Sequence, residues 1–206
     1  MYFVRTPYIL KMLFQKVIWE FPPSQQTIYL TFDDGPHQVI TPWILSQLKR
    51  HDAKATFFCL GENAKKYPNL ILEMERDGHA IASHGDAHLN GWKISKTEYE
   101  QNILQGKQTL SAILQKDIPL FRPPYGRFKH KVMPTQQIIL WSLMPGDFDS
   151  SITAEKCLSR LKSVKAGDII VLHENEKSWK NLQYCLPKFL EFCKANNFQL
   201  SAIKNV

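Results

Sequence analysis

Short apolar runs alternate with helix-forming stretches along the whole chain, and this alternation restricts the fold more than any other feature. The runs at 28–32, 55–59, 79–83, 118–122, 138–141, 168–172 and 198–203 read as strands, each a nearly continuous block of apolar, often β-branched or aromatic residues. Helical patterns fill the gaps. Thr41 suits an N-cap and Pro42 the first helical position, with Lys49, Arg50 and His51 at the far end, where the helix dipole favours positive charge. Residues 62–76 read as helical with a break near Pro68. Thr97 and Glu100 have capping-box spacing. Thr153 starts another helix, and the last is bent or started at Pro187. Continuous apolar strands separated by helices indicate a parallel sheet buried on both faces. Seven of them predict an α/β fold, a distorted, incomplete (β/α) barrel. Only 127–137 separates the fourth and fifth strands, and Pro134 interrupts it, so that part of the barrel is expected to be irregular or open.

The remaining composition narrows the classes. With 206 residues, 44% hydrophobic and 22% charged, the chain can bury a core without disulfides or a structural metal. The formal net charge is +7, but the lysines are scattered and Lys65-Lys66 is the only Lys-Lys pair. That describes a solvated basic surface, and no nucleic-acid partner is expected. Cys59, Cys157, Cys185 and Cys193 form no Cys-x-x-Cys pair and read as buried reduced thiols. Residues 1–26 read as an amphipathic segment docking on the body, with a membrane face as the alternative, and 27–206 as a single catalytic domain. The apolar stretch 8–19 is broken by Lys11, Gln15 and Lys16, lacks a small-residue cleavage site, and falls short of the roughly 20 apolar residues of a membrane span. No transmembrane segment is expected. Location is cytoplasmic by default, with envelope association as the alternative, and oligomeric state is not legible.

The chemistry lies at strand ends. The first strand runs into Asp33 and Asp34, and Gly35-Pro36 then forces a loop. Alone, this would be an ordinary turn. But His84 and His88 follow the third strand, Arg122-Pro123-Pro124-Tyr125-Gly126 the fourth, and His173 the sixth. In a barrel, these positions converge on one mouth. His84 and His88 are four apart, so on one helical turn their rings face the same way, as two imidazoles must to share a metal ion. A carboxylate from the first strand completes a set of two nitrogens and one oxygen, which suits a catalytic Zn²⁺ with open positions. Asp86, between the histidines, points elsewhere on such a turn. If one aspartate binds the metal, the other is free to act as a base. Arg122 reads either as the group that orients that base or as a structural ion pair, and His173 either as a proton donor or as a hydrogen-bonded strand-end histidine. The whole describes metal-assisted hydrolysis of an acyl bond.

Thr31-Phe32-Asp33-Asp34-Gly35-Pro36, the His84–His88 segment, Arg122-Pro123-Pro124-Tyr125-Gly126 and Leu172-His173 resemble, in order, motifs of the polysaccharide deacetylases, carbohydrate esterase family 4. The resemblance covers roughly 28–203. It implies one divalent metal ion, usually zinc, held by Asp34, His84 and His88. It also implies Asp33 as base, Arg122 orienting Asp33, and His173 protonating the departing amine. The Tyr125 backbone N–H is implied in holding the oxyanion, with Trp141 and Leu172 on the substrate side. Gly85 stands where the family has Ser or Thr, so the loop lacks a bracing hydroxyl. The segment 140–149 stands for the family's acidic, Trp-containing motif. In it Asp147 is the first choice, and Asp149 the second, for the acid that tunes Arg122 or His173. His37 is read as a rim residue. The activity implied is metal-dependent removal of N-acetyl groups from N-acetylhexosamine units of a poly- or oligosaccharide. The alternatives are an O-acetyl ester or non-carbohydrate amide as substrate, or a glycan-binding barrel that has lost catalysis.

Overall fold

The computed structural model describes residues 2–23, 26–129, 132 and 135–204. In chain order the elements are α1 (Tyr8–Leu13), β1 (Thr27–Asp33), α2 (Ile40–Arg50), β2 (Thr56–Cys59), α3 (Gly61–Lys66), α4 (Pro68–Arg76) and β3 (Ala80–Ser83). They continue with α5 (Lys96–Leu114), β4 (Leu120–Phe121), β5 (Gln137–Ile138), α6 (Ala154–Leu161), β6 (Ile169–His173), α7 (Glu176–Ala195) and β7 (Gln199–Leu200). The sheet runs β5-β4-β3-β2-β1-β6, with β7 against the start of β1, and every pairing is parallel. It curls into a half-barrel with the helices outside. β4 and β5 pair directly in parallel despite the short 127–137 connection, so the irregularity expected between them falls instead past β5, where the chain continues to Leu143, which bridges Ile170 of β6. Pro134 itself lies outside the described residues.

Strand alternation assigns the two faces. From β1, Ile28, Leu30 and Phe32 join Ile170 and Leu172 of β6 in the main core beneath the helices. Tyr29 and Ile169 pack instead in the smaller inner cluster with Phe58, Ala82, Leu120 and Ile139. Thr31 and Asp33 continue that inner row toward the mouth, and Asp33 lies in register with His173. One face of each strand thus builds stability, and the inward face carries chemistry at its carboxyl end.

Several local expectations give way to longer-range contacts. α2 starts at Ile40 rather than after Thr41. The His37 Nδ1 accepts from the Val39 and Ile40 N–H groups, each at 3.2 Å, and so satisfies donors at the helix start. Ser95, not Thr97, caps α5 by accepting from the Glu98 N–H. α7 runs unbroken from its Asn175 capping box through Pro187. The break before Pro68 and the Thr153 cap of α6 are as expected. Residues 2–23 touch the body through bridges from Arg5, Ile18 and Glu20 and through buried Val17, while α1 buries none of its own residues. Among the described residues no helix is long and apolar enough to cross a membrane. All four cysteines are free and buried.

Candidate active site

Asp33 is the last residue of β1. Its carboxylate accepts from Arg122 Nη1 at 2.7 Å. Arg122 is fully buried, and it is anchored on every side. It donates to Thr31 Oγ1 at 2.7 Å, to the Ile139 carbonyl at 3.1 Å and to the Leu140 carbonyl at 2.9 Å, with its guanidinium over the Phe58 ring. These bonds fix the guanidinium, and through its Nη1 the position of the Asp33 carboxylate.

Asp34 faces another way because its backbone is left-handed, with φ of 77°. For a non-glycine residue that conformation is costly and tends to mark a functional constraint. Its Oδ2 accepts from Asn175 Nδ2 at 2.6 Å, and its carbonyl from Asn63 Nδ2 at 2.8 Å. Its Oδ1 is buried without any hydrogen bond. Toward that atom point the Nε2 atoms of His88 at 3.3 Å and His84 at 3.6 Å. Burial pulls the His84 pKa down to about 4, against the opposing pull of Asp33 and Asp34, so its ring is neutral at pH 7. The His84 Nδ1–H donates to the Arg122 carbonyl at 2.7 Å, leaving the Nε2 lone pair toward Asp34. Ligand atoms about 2.0–2.1 Å from a tetrahedral zinc ion stand roughly 3.3–3.4 Å apart. The orphaned oxygen, the neutral imidazole and this spacing all fit a bound divalent cation. The three residues form a group able to hold one.

The histidine pair does not lie on a helical turn. Residues 84–90 form a loop, and Gly85 has φ of 88°. Its bracing comes from the Ser83 hydroxyl, which accepts from the Gly85 N–H at 3.2 Å, and from α5. Asn102 accepts from the Ala87 N–H at 2.8 Å, donates to the Ala87 carbonyl at 3.0 Å, and offers its own carbonyl to the Asp86 N–H at 2.9 Å. A Cβ on Gly106 would sit 2.3 Å from the Gly85 carbonyl carbon, so helix and loop meet backbone to backbone. Asp86 pairs with Lys65 at 2.9 Å and takes no part in the cluster.

Across the mouth, the His173 Nδ1–H donates to Asp147 Oδ1 at 3.0 Å, and the His173 backbone N–H to Asp147 Oδ2 at 2.8 Å. Asp147 is fully buried. Burial alone would lower the His173 pKa, but Asp147 first, then Asp34 and Asp33, raise it to about 9. Asp149 bonds instead with Tyr2 and Ser151 at some distance from His173. These groups open on a cleft of about 720 Å³ lined by Asp33, Asp34, His84, His88, Tyr125, Trp141 and His173, with His37 at its edge. Tyr125 is 58% exposed, has φ of 60°, and packs edge-on to His88 with ring centroids 4.4 Å apart. Leu172 does not join them. Alternation turns its side chain away from the mouth into the main core, where it is fully buried.

Three neighbours had no sequence signal of their own. Asn175 and Asn102 hold the cation cluster, and Glu174 lies buried behind it. Burial pushes Glu174 up to about 8, partly offset by the hydrogen bond from Thr41 Oγ1 at 2.7 Å. Gly35 leaves room for it, because a Cβ there would overlap Glu174 Oε2. The one clue was position, since Glu174 and Asn175 directly follow a strand-end histidine.

The sequence model of polysaccharide deacetylases matches residues 21–137. A peptidoglycan-N-acetylglucosamine deacetylase of Bacillus cereus is 30% identical over 197 residues, 92% of this chain and 92% of that protein. A chitooligosaccharide deacetylase of Azorhizobium caulinodans is 34% identical over 157 residues, 73% of this chain and 75% of that one. Among solved structures, the Bc1960 peptidoglycan N-acetylglucosamine deacetylase, in complex with 4-naphthalen-1-yl-N-oxidanyl-benzamide, superimposes with a TM-score of 0.86 at 28% identity over 94% of both chains. On a match that spans most of both proteins, the chain belongs to the polysaccharide deacetylase family, the carbohydrate esterases of family 4.

Proposed function

We propose that this deacetylase removes the acetyl group from N-acetylglucosamine units of a glycan, and that it does so with one divalent cation, Zn²⁺ being the best fit, held by Asp34, His84 and His88. The observation that carries the reading is the buried, hydrogen-bond-free Asp34 Oδ1 facing two imidazole nitrogens beside an arginine-held aspartate. A cation there supplies Lewis acidity, polarising the amide carbonyl and easing deprotonation of water.

The other steps belong to this chain's own groups. Asp33, held in place by Arg122, takes the proton of the attacking water. The Tyr125 backbone N–H donates to the oxygen that gains charge. Trp141 lines the cleft as an apolar wall for the acetyl methyl or the sugar ring. His173, cationic up to about pH 9, gives its proton to the amide nitrogen as the C–N bond breaks. A donor that stays protonated at neutral pH favours an amide over an O-acetyl ester, because the amine leaves only when protonated, whereas an alkoxide is the better leaving group. The lost-catalysis alternative is disfavoured because base, orienting arginine and proton donor are all assembled. The test is acetate release from N-acetylglucosamine oligomers with chelator and with added Zn²⁺. Activity lost to the chelator and restored by Zn²⁺ is expected. Chelator-insensitive release, or no release from any N-acetylated glycan, overturns the proposal.

A further inference from the structure

The helix α1 is apolar on two sides. Leu10 is half-buried, and Phe14, just past the helix, packs edge-on to Phe128 with ring centroids 5.5 Å apart, against the core cluster of Val17 and Val132. Tyr8, Ile9, Met12 and Leu13 recur at helical spacing on the other side and are between 50% and 74% exposed. Phe3 is exposed on the same segment. So many large apolar side chains together on a surface mark a contact site rather than chance exposure. The face has a basic rim. Lys16 is exposed three residues beyond α1. The Phe128 carbonyl accepts from the indole N–H of the exposed Trp92 at 3.1 Å, which brings Lys93, Arg127 and Lys129 beside the same cluster. Arg5 and Lys11 are matched by Asp168 and Glu20, but among the described residues no carboxylate pairs with Lys16, Lys93, Arg127 or Lys129.

An apolar helix face, tyrosine and tryptophan rings at its edge and unmatched cations around it suit the headgroup layer of an anionic bilayer. A second copy of the chain suits it less, because a two-fold contact would set this one-signed rim against itself. We propose that the outer face of α1, with the rim at Lys16, Trp92 and Lys129, is a docking surface for a membrane rich in anionic lipid, which the protein binds peripherally. The apolar side chains enter the boundary between headgroups and acyl chains, and the lysines lie against the lipid phosphates. A helix of six residues buries little area, so the binding is reversible and depends on charge. The net charge of +7 steers the protein toward such a surface. None of this depends on the deacetylase reading.

The test is sedimentation with lipid vesicles. The wild-type protein is expected to bind vesicles of about 30% phosphatidylglycerol in phosphatidylcholine at least about tenfold tighter than pure phosphatidylcholine, and to lose most of that preference at about 0.5 M salt. Ile9→Ser with Leu13→Ser should abolish binding to either vesicle, whereas Lys16→Gln with Lys129→Gln should remove only the anionic preference. Circular dichroism checks that each variant is folded. Insertion is read directly from a polarity-sensitive dye on Leu13→Cys, where the label is selective because the four native cysteines are buried. Its emission should shift to the blue when anionic vesicles are added. No binding to anionic vesicles, equal affinity for the two vesicles, binding unchanged in the Ile9 and Leu13 double variant, or an unshifted dye overturns the proposal. So does a wild-type dimer in light scattering that the double variant converts to monomer, which would make the face a contact between copies.

Discussion

The Asp147→Asn variant tests how the proton donor works. His173 stands at about 9 rather than its ordinary 6.5, although its burial works the other way. A rise of that size is roughly 3 kcal/mol in favour of the charged ring. Asp147 is the largest upward influence, through its charge and its bond to Nδ1. Asparagine keeps the shape and one acceptor but removes the charge, so the His173 pKa should fall by roughly two units or more. A ring with a pKa near 9 is about 90% protonated at pH 8, and one near 6.5 only about 3%, so turnover at pH 8 should fall about thirtyfold. At pH 5.5 both rings are mostly charged, and the two proteins should differ far less. A bound divalent cation lowers the alkaline limb in both proteins, so the informative quantity is the shift between them. The assay is kcat/KM against pH on an N-acetylglucosamine oligomer, with bound metal quantified in each protein. An alkaline limb that stays in place while metal content is intact refutes the reasoning. Stability carries the same signature in the metal-free protein. The raised pKa gives a contribution fully present below pH 6.5 and lost as pH rises through about 9. The melting-temperature gap between wild type and variant should therefore narrow from pH 6 to pH 10.

Asp33→Asn should bind zinc normally yet lose at least about a hundredfold in kcat, and near-normal turnover would remove Asp33 from the role of base. Arg122→Met leaves a buried carboxylate and two backbone carbonyls without their donor. It should cost about 3–5 kcal/mol, read as a drop in Tm of roughly 10 °C, and a drop of under about 3 °C would mean that Asp33 is not held as described. Gly106→Ala forces a methyl group against the Gly85 backbone. By displacing the histidine loop it should weaken zinc affinity about 10–100-fold in competition titrations, and unchanged affinity would separate that contact from the cation cluster.

The site was legible where it depends on strand geometry. A period of two and a parallel register suffice to put Asp33, His173 and the residues after β3 and β4 at one mouth, and both can be read from apolar runs. The readings that missed are those decided by distant partners. Thr41 looks like a cap, but its hydroxyl is engaged by Glu174 and by the His37 N–H, while the His37 ring serves the helix start. His84 and His88 converge without a helix, because Gly85 adopts a left-handed turn and Asn102 holds the loop from another element. Ser95 and Thr97 each offer capping spacing, and local pattern alone does not choose between them. Leu172 sits in a matching motif, yet a strand position next to a functional residue points to the opposite face.

The adjacent aspartates show how two like carboxylates acquire different surroundings without separation in sequence. Asp33 ends a regular strand, so alternation sends it inward, and the buried arginine beneath holds it there. Had residue 34 continued the strand, its side chain would have turned outward, beside Phe32 in the main core. The left-handed turn at Asp34 instead swings its carboxylate to the mouth, where Asn175 occupies one oxygen and leaves the other facing the imidazoles. The proton states divide the same way. His84 is neutral because burial dominates, and its spare lone pair suits a cation. His173 is charged because Asp147 outweighs burial, and its proton suits a leaving amine. One barrel mouth thus holds a neutral histidine and a cationic one at the same pH, and the difference traces to a single buried carboxylate behind the second.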